Sequence, residues 1–156
     1  MNSTRAVRTI HLIDVENLLG GHVTVAELAD LWPEYFLSAG VVQGDHLLVA
    51  SARRYSRQTW FNAPKGCRLL FAGNEKDAAE QALLAGIDVE SMMRRYQRVA
   101  VGSGDGAFVP LVEELSRGGM SSDVVAGRGF VAKKLRLAAR QTMRLPAPFR
   151  PVVVAA

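Results

Sequence analysis

Thr9-Ile-His-Leu-Ile-Asp14 decides the fold, because it is an apolar run typical of a buried strand and it ends in a carboxylate. A second run, Val99-Ala-Val-Gly-Ser-Gly-Asp105, has the same organisation. In open α/β sheets, ligands bind outside the carboxyl ends of the strands. Two acids in such positions therefore predict one acidic pocket at the edge of a parallel sheet.

The rest of the chain alternates strand-like and helical segments. We predict strands at about 9–14, 45–52, 67–72, 99–102 and 123–126, and helices at about 25–37, 56–63, 77–86 with a continuation to 96, 108–117 and 131–143. Parallel strands joined by helices are covered on both faces. The sequence therefore predicts an α/β fold, a three-layer sandwich with a mainly parallel central sheet.

Composition agrees with one domain. The chain has 156 residues, of which 49% are hydrophobic, and this suits a single core. We place one domain at residues 1–145 and expect the Pro-interrupted residues 146–156 to form a flexible tail. Cys67 has no partner for a disulfide or a zinc site, which favours a reduced, cytoplasmic compartment. No apolar run reaches the length of a membrane span, so we expect no membrane partner.

The charge is uneven along the chain. The formal net charge is +4, and its excess lies in residues 76–156. Arg128, Lys133 and Lys134 could line a groove for a polyanion, because phosphate contacts supply most non-specific affinity for nucleic acid. Arg53 and Arg54 follow the second predicted strand and could hold a substrate phosphate. A solvated surface accounts for all five residues equally simply.

Asp14 and Asn17 lie at the end of the first predicted strand. A metal ion or its water could bridge the two side chains within one tight turn. Either residue could instead cap that turn through backbone amides. We favour function for Asp14, since a buried acid is costly unless it is paired. Glu16 is expected to point away into solvent.

The segment Gly102-Ser-Gly-Asp-Gly106 is the most specific element of the sequence. Its glycines allow a sharp turn that projects Asp105 into the pocket, where Ser103 could orient a metal-bound water. A competing interpretation is a Gly-x-Gly-x-x-Ala dinucleotide loop with Asp123 downstream. Asp105 would then place a negative charge against the pyrophosphate, which disfavours that interpretation.

Asp77 and Glu80 open a predicted helix and share one of its faces. Both carboxylates could lean toward the pocket, or they could form a capping pair that satisfies the first amides of the helix. The sequence leaves these two alternatives open. Asp88 is too far along the helix to share an ion with Asp77 and is expected to cap the next helical segment.

These motifs resemble the NYN domains, a branch of the PIN-like nucleases. Asp14-Val-Glu-Asn17 is similar to the Asp-x-x-Asn signature on the first strand of that family, and 101–110 is similar to its fourth-strand signature. Residues 128–139 resemble the closing basic helix of bacterial members. The resemblance runs from about Thr9 to Leu145.

The resemblance implies a PIN-like fold and a ribonuclease that depends on Mg²⁺ or Mn²⁺ and has RNA as its partner, with a homodimer allowed for. Asp14, Asn17 and Asp105 map onto the family's site, and Asp14, Asp105 and Glu80 are the implied metal ligands. There are two departures. Position 107 is Ala where many relatives carry a second Asp, and either Asp77 or Glu80 must complete the site. The alternative is a PIN-like module that binds RNA or a protein without cleaving it.

Overall fold

Six parallel strands form the central sheet of the computed structural model, which describes residues 7–149. The strands are Thr9–Asp14 (β1), His46–Ala52 (β2), Arg68–Ala72 (β3), Arg98–Gly102 (β4), Ser121–Ala126 (β5) and Gln141–Arg144 (β6). Their order across the sheet is β3-β2-β1-β4-β5-β6, and every neighbouring pair is parallel. The central strands β1 and β4 are the strands that end in the two acidic motifs.

Helices cover both faces of this sheet. They are Val15–Leu19 (α1), Val25–Ala39 (α2), Ser56–Phe61 (α3), Ala78–Ala85 (α4), Val89–Arg95 (α5), Val109–Arg117 (α6) and Lys133–Ala138 (α7). α2 packs on one face, in a core cluster with Ile13 and Val49. α4 to α7 pack on the other face, in a cluster with Leu12 and Val101. The predicted three-layer α/β sandwich is therefore confirmed.

Alternation along β1 decides which way its acid points. Side chains on a strand alternate between the two faces. Ile13 belongs to the core under α2, whereas Leu12 belongs to the core under α4 to α7. Asp14 therefore continues the face of Leu12 and lies on the side of the sheet that α4 covers.

α2 is longer than predicted. Thr24 is its N-cap, as expected, and its hydroxyl accepts from the Glu27 amide. The helix then continues through Pro33 to Ala39. Burial of Leu28, Leu31, Trp32 and Tyr35 on the same helix gives it tertiary support that outweighs the hydrogen bond lost at proline.

The predicted helix at 131–143 is wrong in its second half. α7 ends at Ala138, and the chain turns to form β6 beside β5. The Arg140 amide donates to the Ser122 carbonyl and the Leu145 amide to the Ala126 carbonyl, so pairing with β5 is extended at both ends. As an edge strand, residues 141–144 form hydrogen bonds with β5 that they could not form if α7 continued through them.

The packed structure extends beyond the predicted boundary at Leu145. Leu145 is fully buried, and Phe149 is only 1% exposed, in the core cluster under α2. Residues 150–156 of the predicted tail lie outside the described residues. Within 7–149, no helix has the length and apolar character needed to cross a membrane.

Candidate metal centre at the switch point of the sheet

The strand order reverses between β1 and β4, so the chain leaves these two strands in opposite directions across the sheet. Such a switch point leaves a crevice at the carboxyl edge of an open α/β sheet. A cavity of about 630 Å³ occupies this edge. Segments that follow β1, β2, β3, β4 and β5 all line it. The position predicted for the pocket from the two acidic motifs is the position at which the cavity lies.

Three carboxylates converge in this cavity. Asp77, Glu80 and Asp105 each offer a carboxylate oxygen, and these oxygens lie within 4.8 Å of one another. Asp77 precedes α4, Glu80 lies in its first turn, and Asp105 follows β4. The resemblance implied that either Asp77 or Glu80 completes the site, and the structure brings both of them into the cavity.

Asp77 does not act as a helix cap. It occupies the N-cap position of α4, but its side chain makes no capping hydrogen bond. Its backbone is left-handed, with φ of 63°, which is uncommon for a residue other than glycine. The capping-pair alternative for Asp77 and Glu80 is therefore wrong. Asp77 therefore adopts an unfavourable backbone conformation, and its carboxylate lies beside those of Glu80 and Asp105.

Asp14 lies behind this cluster. It is 1% exposed, and the neighbouring Glu80 carboxyl group contributes to raising its pKa. One oxygen also accepts from the Asn17 amide at 3.2 Å, so Asp14 caps α1 as well. The turn-cap alternative is therefore confirmed, and because Asp14 also lines the cavity, its functional role stays a prediction. The implied ligand set Asp14, Glu80 and Asp105 stays a prediction. The group whose carboxylate oxygens lie within 4.8 Å of one another contains Asp77 in place of Asp14.

Burial raises the pKa of Asp14 and of Glu80. It raises the pKa of Asp14 well above the ordinary aspartate value, and the Glu80 carboxyl adds to the increase. Burial also raises the pKa of Glu80, and the nearby charge of Asp105 adds to it. Buried carboxylates that repel one another either share protons or bind a cation.

Asn17 and Ser103 form hydrogen bonds with the loop after β4. The Asn17 side-chain oxygen accepts from the Gly104 amide at 2.9 Å, which joins the end of β1 to the loop after β4. Ser103 was predicted to orient a metal-bound water, but it is fully buried and does not line the cavity. Its hydroxyl instead accepts from the Asp105 amide at 3.2 Å. Both residues position the loop that carries Asp105.

Contrary to the prediction, Glu16 does not point away from the cavity, although it is only half-buried. One of its carboxylate oxygens accepts from the Ala52 amide at 2.5 Å, and the residue lines the cavity. It therefore ties α1 to the carboxyl end of β2 and adds a further negative charge to the pocket. The prediction was wrong because it treated the turn after β1 as exposed, whereas the end of β2 lies beside it.

The five predicted basic contacts divide into two groups. Arg54 and Arg128 line the cavity, whereas exposed Arg53, Lys133 and Lys134 do not. Arg54 is bound to the loop after β3, because its guanidinium donates to the Asn74 carbonyl at 2.6 Å.

Arg128 forms several contacts within the protein. It forms an ion pair with Glu27, donates to the Pro148 carbonyl at 2.9 Å and packs over the Phe149 ring. Its guanidinium therefore fastens the segment after β6 to α2, which the sequence did not predict.

Several cavity residues were missed from the sequence. They come from the loop after β3, from the turn after β2 and from the loop after β5. These residues are Asn74, Glu75, Lys76, Tyr55, Gly129 and Phe130. The rule that identified Asp14 and Asp105, that loops after parallel strands meet at one edge, also applies to β3 and β5. Only the absence of an acid directly at those strand ends concealed them.

The donor set fits a hard divalent ion. Carboxylate oxygens are the ligands that Mg²⁺ and Mn²⁺ prefer. None of the ion pairs formed within residues 7–149 includes Asp14, Asp77, Glu80 or Asp105. Several carboxylates that face one another without a basic partner need a cation or protons, and a divalent ion is the partner that the close group of Asp77, Glu80 and Asp105 can hold.

The same geometry argues against the dinucleotide alternative. The strand order is one that dinucleotide-binding folds use, and Gly102 and Gly104 follow a central strand. The loop nevertheless leads into a three-residue 3₁₀ turn and brings Asp105 against two other carboxylates. Asp123 lies in β5 and pairs with Arg98 and Arg140. A pyrophosphate here would be repelled by the carboxylates. Asp123 is paired with two arginines and is therefore not free to bind a ribose hydroxyl.

No protein-family profile matches the chain, and no curated protein matches it either. Among solved structures, the chain is similar to a Vibrio parahaemolyticus protein of unknown function, at 16% sequence identity and with a TM-score of 0.61. The similarity covers 96% of this chain and 99% of that one. At this identity the similarity supports the fold alone: an α/β sandwich built on a parallel sheet.

Proposed function

We propose that this chain is a divalent-metal-dependent nuclease that hydrolyses RNA phosphodiester bonds. One observation carries the proposal: Asp77, Glu80 and Asp105 come within 4.8 Å of one another at the switch point of a parallel sheet, in an open cavity of about 630 Å³. A cavity of this size admits a nucleotide, and acids grouped in this way hold the ions that phosphoryl chemistry uses.

The residues of the chain divide the work between binding and positioning. Asp77, Glu80 and Asp105 would hold the ion. Asp14 would hold the Glu80 carboxyl group in place from the buried side, and it would lose its proton when a cation binds. When bound, a divalent ion supplies a lowered pKa for a bound water and stabilises charge on the scissile phosphate and the leaving oxygen.

Support for the Asp105 loop comes from hydrogen bonds within the protein. Asn17 holds the Gly104 amide, and the Ala107 amide donates to an Asp105 oxygen at 2.8 Å. One carboxylate oxygen of Asp105 is therefore bonded within its own loop, and this bond fixes the orientation of the carboxylate. Such positioning governs rate in phosphoryl transfer, where the protein contributes placement and charge.

The choice of RNA rests on charge and on resemblance. The chain is basic overall although its cavity is acidic, and exposed Arg53, Lys133 and Lys134 lie outside the cavity, where a polyanion would extend beyond the cleaved bond. The Asp14 and Asp105 motifs resemble those of NYN nucleases, and we include this chain with them as part of the proposal. A cytoplasmic location and a homodimer belong to the same proposal.

A second candidate function is an RNA- or protein-binding module without cleavage. Ala107 favours it, because many NYN relatives carry a second Asp at the equivalent position. The two functions differ in metal-dependent turnover.

The test is cleavage of a labelled single-stranded RNA by purified protein in Mg²⁺, Mn²⁺ or EDTA. We expect cleavage with either ion, none with EDTA, and a loss of at least about 100-fold in Asp105→Asn and Asp77→Asn, because each removes charge from the ion site. Asp88→Asn is the matched control, since Asp88 caps α5 through the Ser91 amide and asparagine caps equally well.

A rate equal in wild type and Asp105→Asn would assign the activity to a contaminant. RNA binding without metal-dependent cleavage would establish the second candidate function in place of the first.

A further inference from the structure

We infer that Phe130 stacks on a base of the substrate and that the substrate is therefore single-stranded nucleic acid; this inference rests on the proposed nuclease function. Phe130 lines the acidic cavity and is 83% exposed. A single exposed apolar side chain is common on protein surfaces and needs no explanation by itself. What distinguishes Phe130 is how rigidly its backbone is held beside the acids.

Backbone hydrogen bonds hold the Phe130 segment on both sides. Before it, the Arg128 amide donates to the Leu18 carbonyl and the Gly129 amide to the Asn17 carbonyl, each at 2.9 Å. After it, the Ala132 amide donates to the Gly104 carbonyl at 2.8 Å. Phe130 is thus fixed between the turn after β1 and the loop after β4, the two segments that carry Asp14 and Asp105.

Glycine makes these contacts close. A Cβ atom at Gly104 would lie 2.3 Å from the Phe130 carbonyl oxygen, and one at Gly129 would lie 2.4 Å from the Asn17 carbonyl oxygen. Only backbones without side chains can approach in this way. The ring of Phe130 is consequently presented to solvent from a segment whose position relative to Asn17 and Asp105 is set by main-chain contacts.

A fixed aromatic ring beside a phosphate-cleaving site is suited to a nucleobase. Bases in a duplex stack on one another and cannot accept a protein ring without disruption, whereas a single strand offers free base faces. The exposed Lys133 and Lys134 follow on α7 and can neutralise the next phosphates of such a strand. The ring and the two lysines together define a path for one strand leaving the acidic cavity.

The experiment measures binding separately from cleavage. A fluorescein-labelled single-stranded RNA is titrated with wild-type protein and with Phe130→Ala in Ca²⁺, and the anisotropy gives Kd. We expect Kd to rise about 5- to 150-fold in Phe130→Ala, the range found when one base-stacking side chain is removed. Phe130→Trp should retain affinity, and Phe130→Leu should not, because leucine is apolar but has no aromatic face.

Phe61→Ala is the matched control. Phe61 is 74% exposed, like Phe130, but lies on α3 and does not line the cavity. We expect its Kd to stay within about twofold of wild type, as for a surface substitution away from the site. Binding of the same sequence as a duplex should be unchanged in Phe130→Ala, because phosphate contacts alone remain.

Hydrolysis of bis(p-nitrophenyl) phosphate separates the two proposals, since this diester has no base. Turnover that requires metal and Asp105, with equal Kd for RNA in wild type and Phe130→Ala, would overturn the stacking role and leave the nuclease standing. A raised Kd in Phe130→Ala without turnover of either substrate would keep the stacking role and overturn the nuclease. Equal losses in Phe130→Ala and Phe61→Ala, or no binding of single strands, would also overturn the inference.

Discussion

Asp14 is the residue at which stability and the proposed function conflict. Its carboxyl group is buried beside Glu80, and burial raises its pKa well above the ordinary value. We predict that Asp14→Asn abolishes cleavage but stabilises the metal-free protein at neutral pH by about 0.5–2 kcal/mol, the usual size of a stabilising substitution. Functional sites commonly carry such a cost, and removing it commonly stabilises the fold.

The sign of the pH dependence follows from the raised pKa of Asp14. Between the ordinary pKa near 4 and the raised value, the folded protein binds more protons than the unfolded chain, so this group's contribution to stability is lost as the pH rises. The advantage of Asp14→Asn should therefore shrink as the pH falls toward 4. Urea unfolding in EDTA at several pH values measures the difference in unfolding free energy between Asp14→Asn and wild type, with Asp88→Asn as the control. A variant less stable than wild type at neutral pH would contradict this account.

Gly104 provides a second test at single-residue scale. A Cβ at this position would lie 2.3 Å from the Phe130 carbonyl oxygen, whereas one at Gly106 would lie 3.5 Å from the Ala132 Cβ, an ordinary contact. We predict that Gly104→Ala lowers the free energy of unfolding by about 1–3 kcal/mol, as overpacking does. Gly106→Ala should change it by less than about 0.5 kcal/mol. Thermal unfolding compares the two, and equal effects would mean that the loop can move aside.

At the scale of elements, one buried acid joins three parts of the sheet at its amino edge. Asp123 on β5 accepts from Arg98 on β4 at 2.5 Å and from Arg140, which precedes β6, at 3.0 Å. Burial alone would raise the pKa of Asp123, but the hydrogen bonds from Arg140 and Arg98 lower it below the ordinary value. The ion pairs therefore hold β6 against the sheet.

We predict that Asp123→Asn destabilises the protein by about 2 kcal/mol, because two arginines lose their buried partner, although both are partly screened by solvent. With the pKa lowered, the contribution of Asp123 is present above the ordinary value near 4 and is lost as the pH falls below it. Chemical unfolding at neutral pH, with the exposed Asp30→Asn as control, measures the difference. Equal stability of the two variants would refute the role assigned to this ion network.

The elements recovered from sequence are those with a continuous apolar signal. β1 to β5 and the helices α2, α3, α4 and α6 were predicted to within about two residues, because apolar runs, helical periodicity and the Thr24 cap identify them. β6 was not predictable, since Gln141-Thr142-Met143-Arg144 has little apolar character and becomes a strand only beside β5. The same limit applied to the site. Strand ends located Asp14 and Asp105, but the contact of Glu16 with Ala52 depends on how separate loops meet.

At the scale of the whole molecule, metal binding and stability should be linked. A ligand that binds only the folded state stabilises it, by about 2.7 kcal/mol at a concentration of 100 times Kd. We predict that Mn²⁺ or Mg²⁺ raises the midpoint of thermal unfolding in wild type and in Asp88→Asn but not in Asp105→Asn. The increase should be larger at pH 8 than at pH 5, because the raised pKa values of Asp14 and Glu80 favour their protonated forms at low pH, and protons compete with the ion. Equal increases in wild type and Asp105→Asn would place the ion elsewhere.

The pairing of β1 with β4 has a consequence for how the protein comes into being. These adjacent strands are separated along the chain by two strands and five helices, and the close acids come from α4 and from the loop after β4. Non-local strand pairing is slow, and during synthesis it must wait for the later strand to emerge. A nascent chain that ends before Gly102 holds Asp14, Asp77 and Glu80 but does not yet contain Asp105. The close group of acids is therefore completed late in synthesis, and under the proposed nuclease function a ribosome-bound chain of this length would not yet cleave RNA.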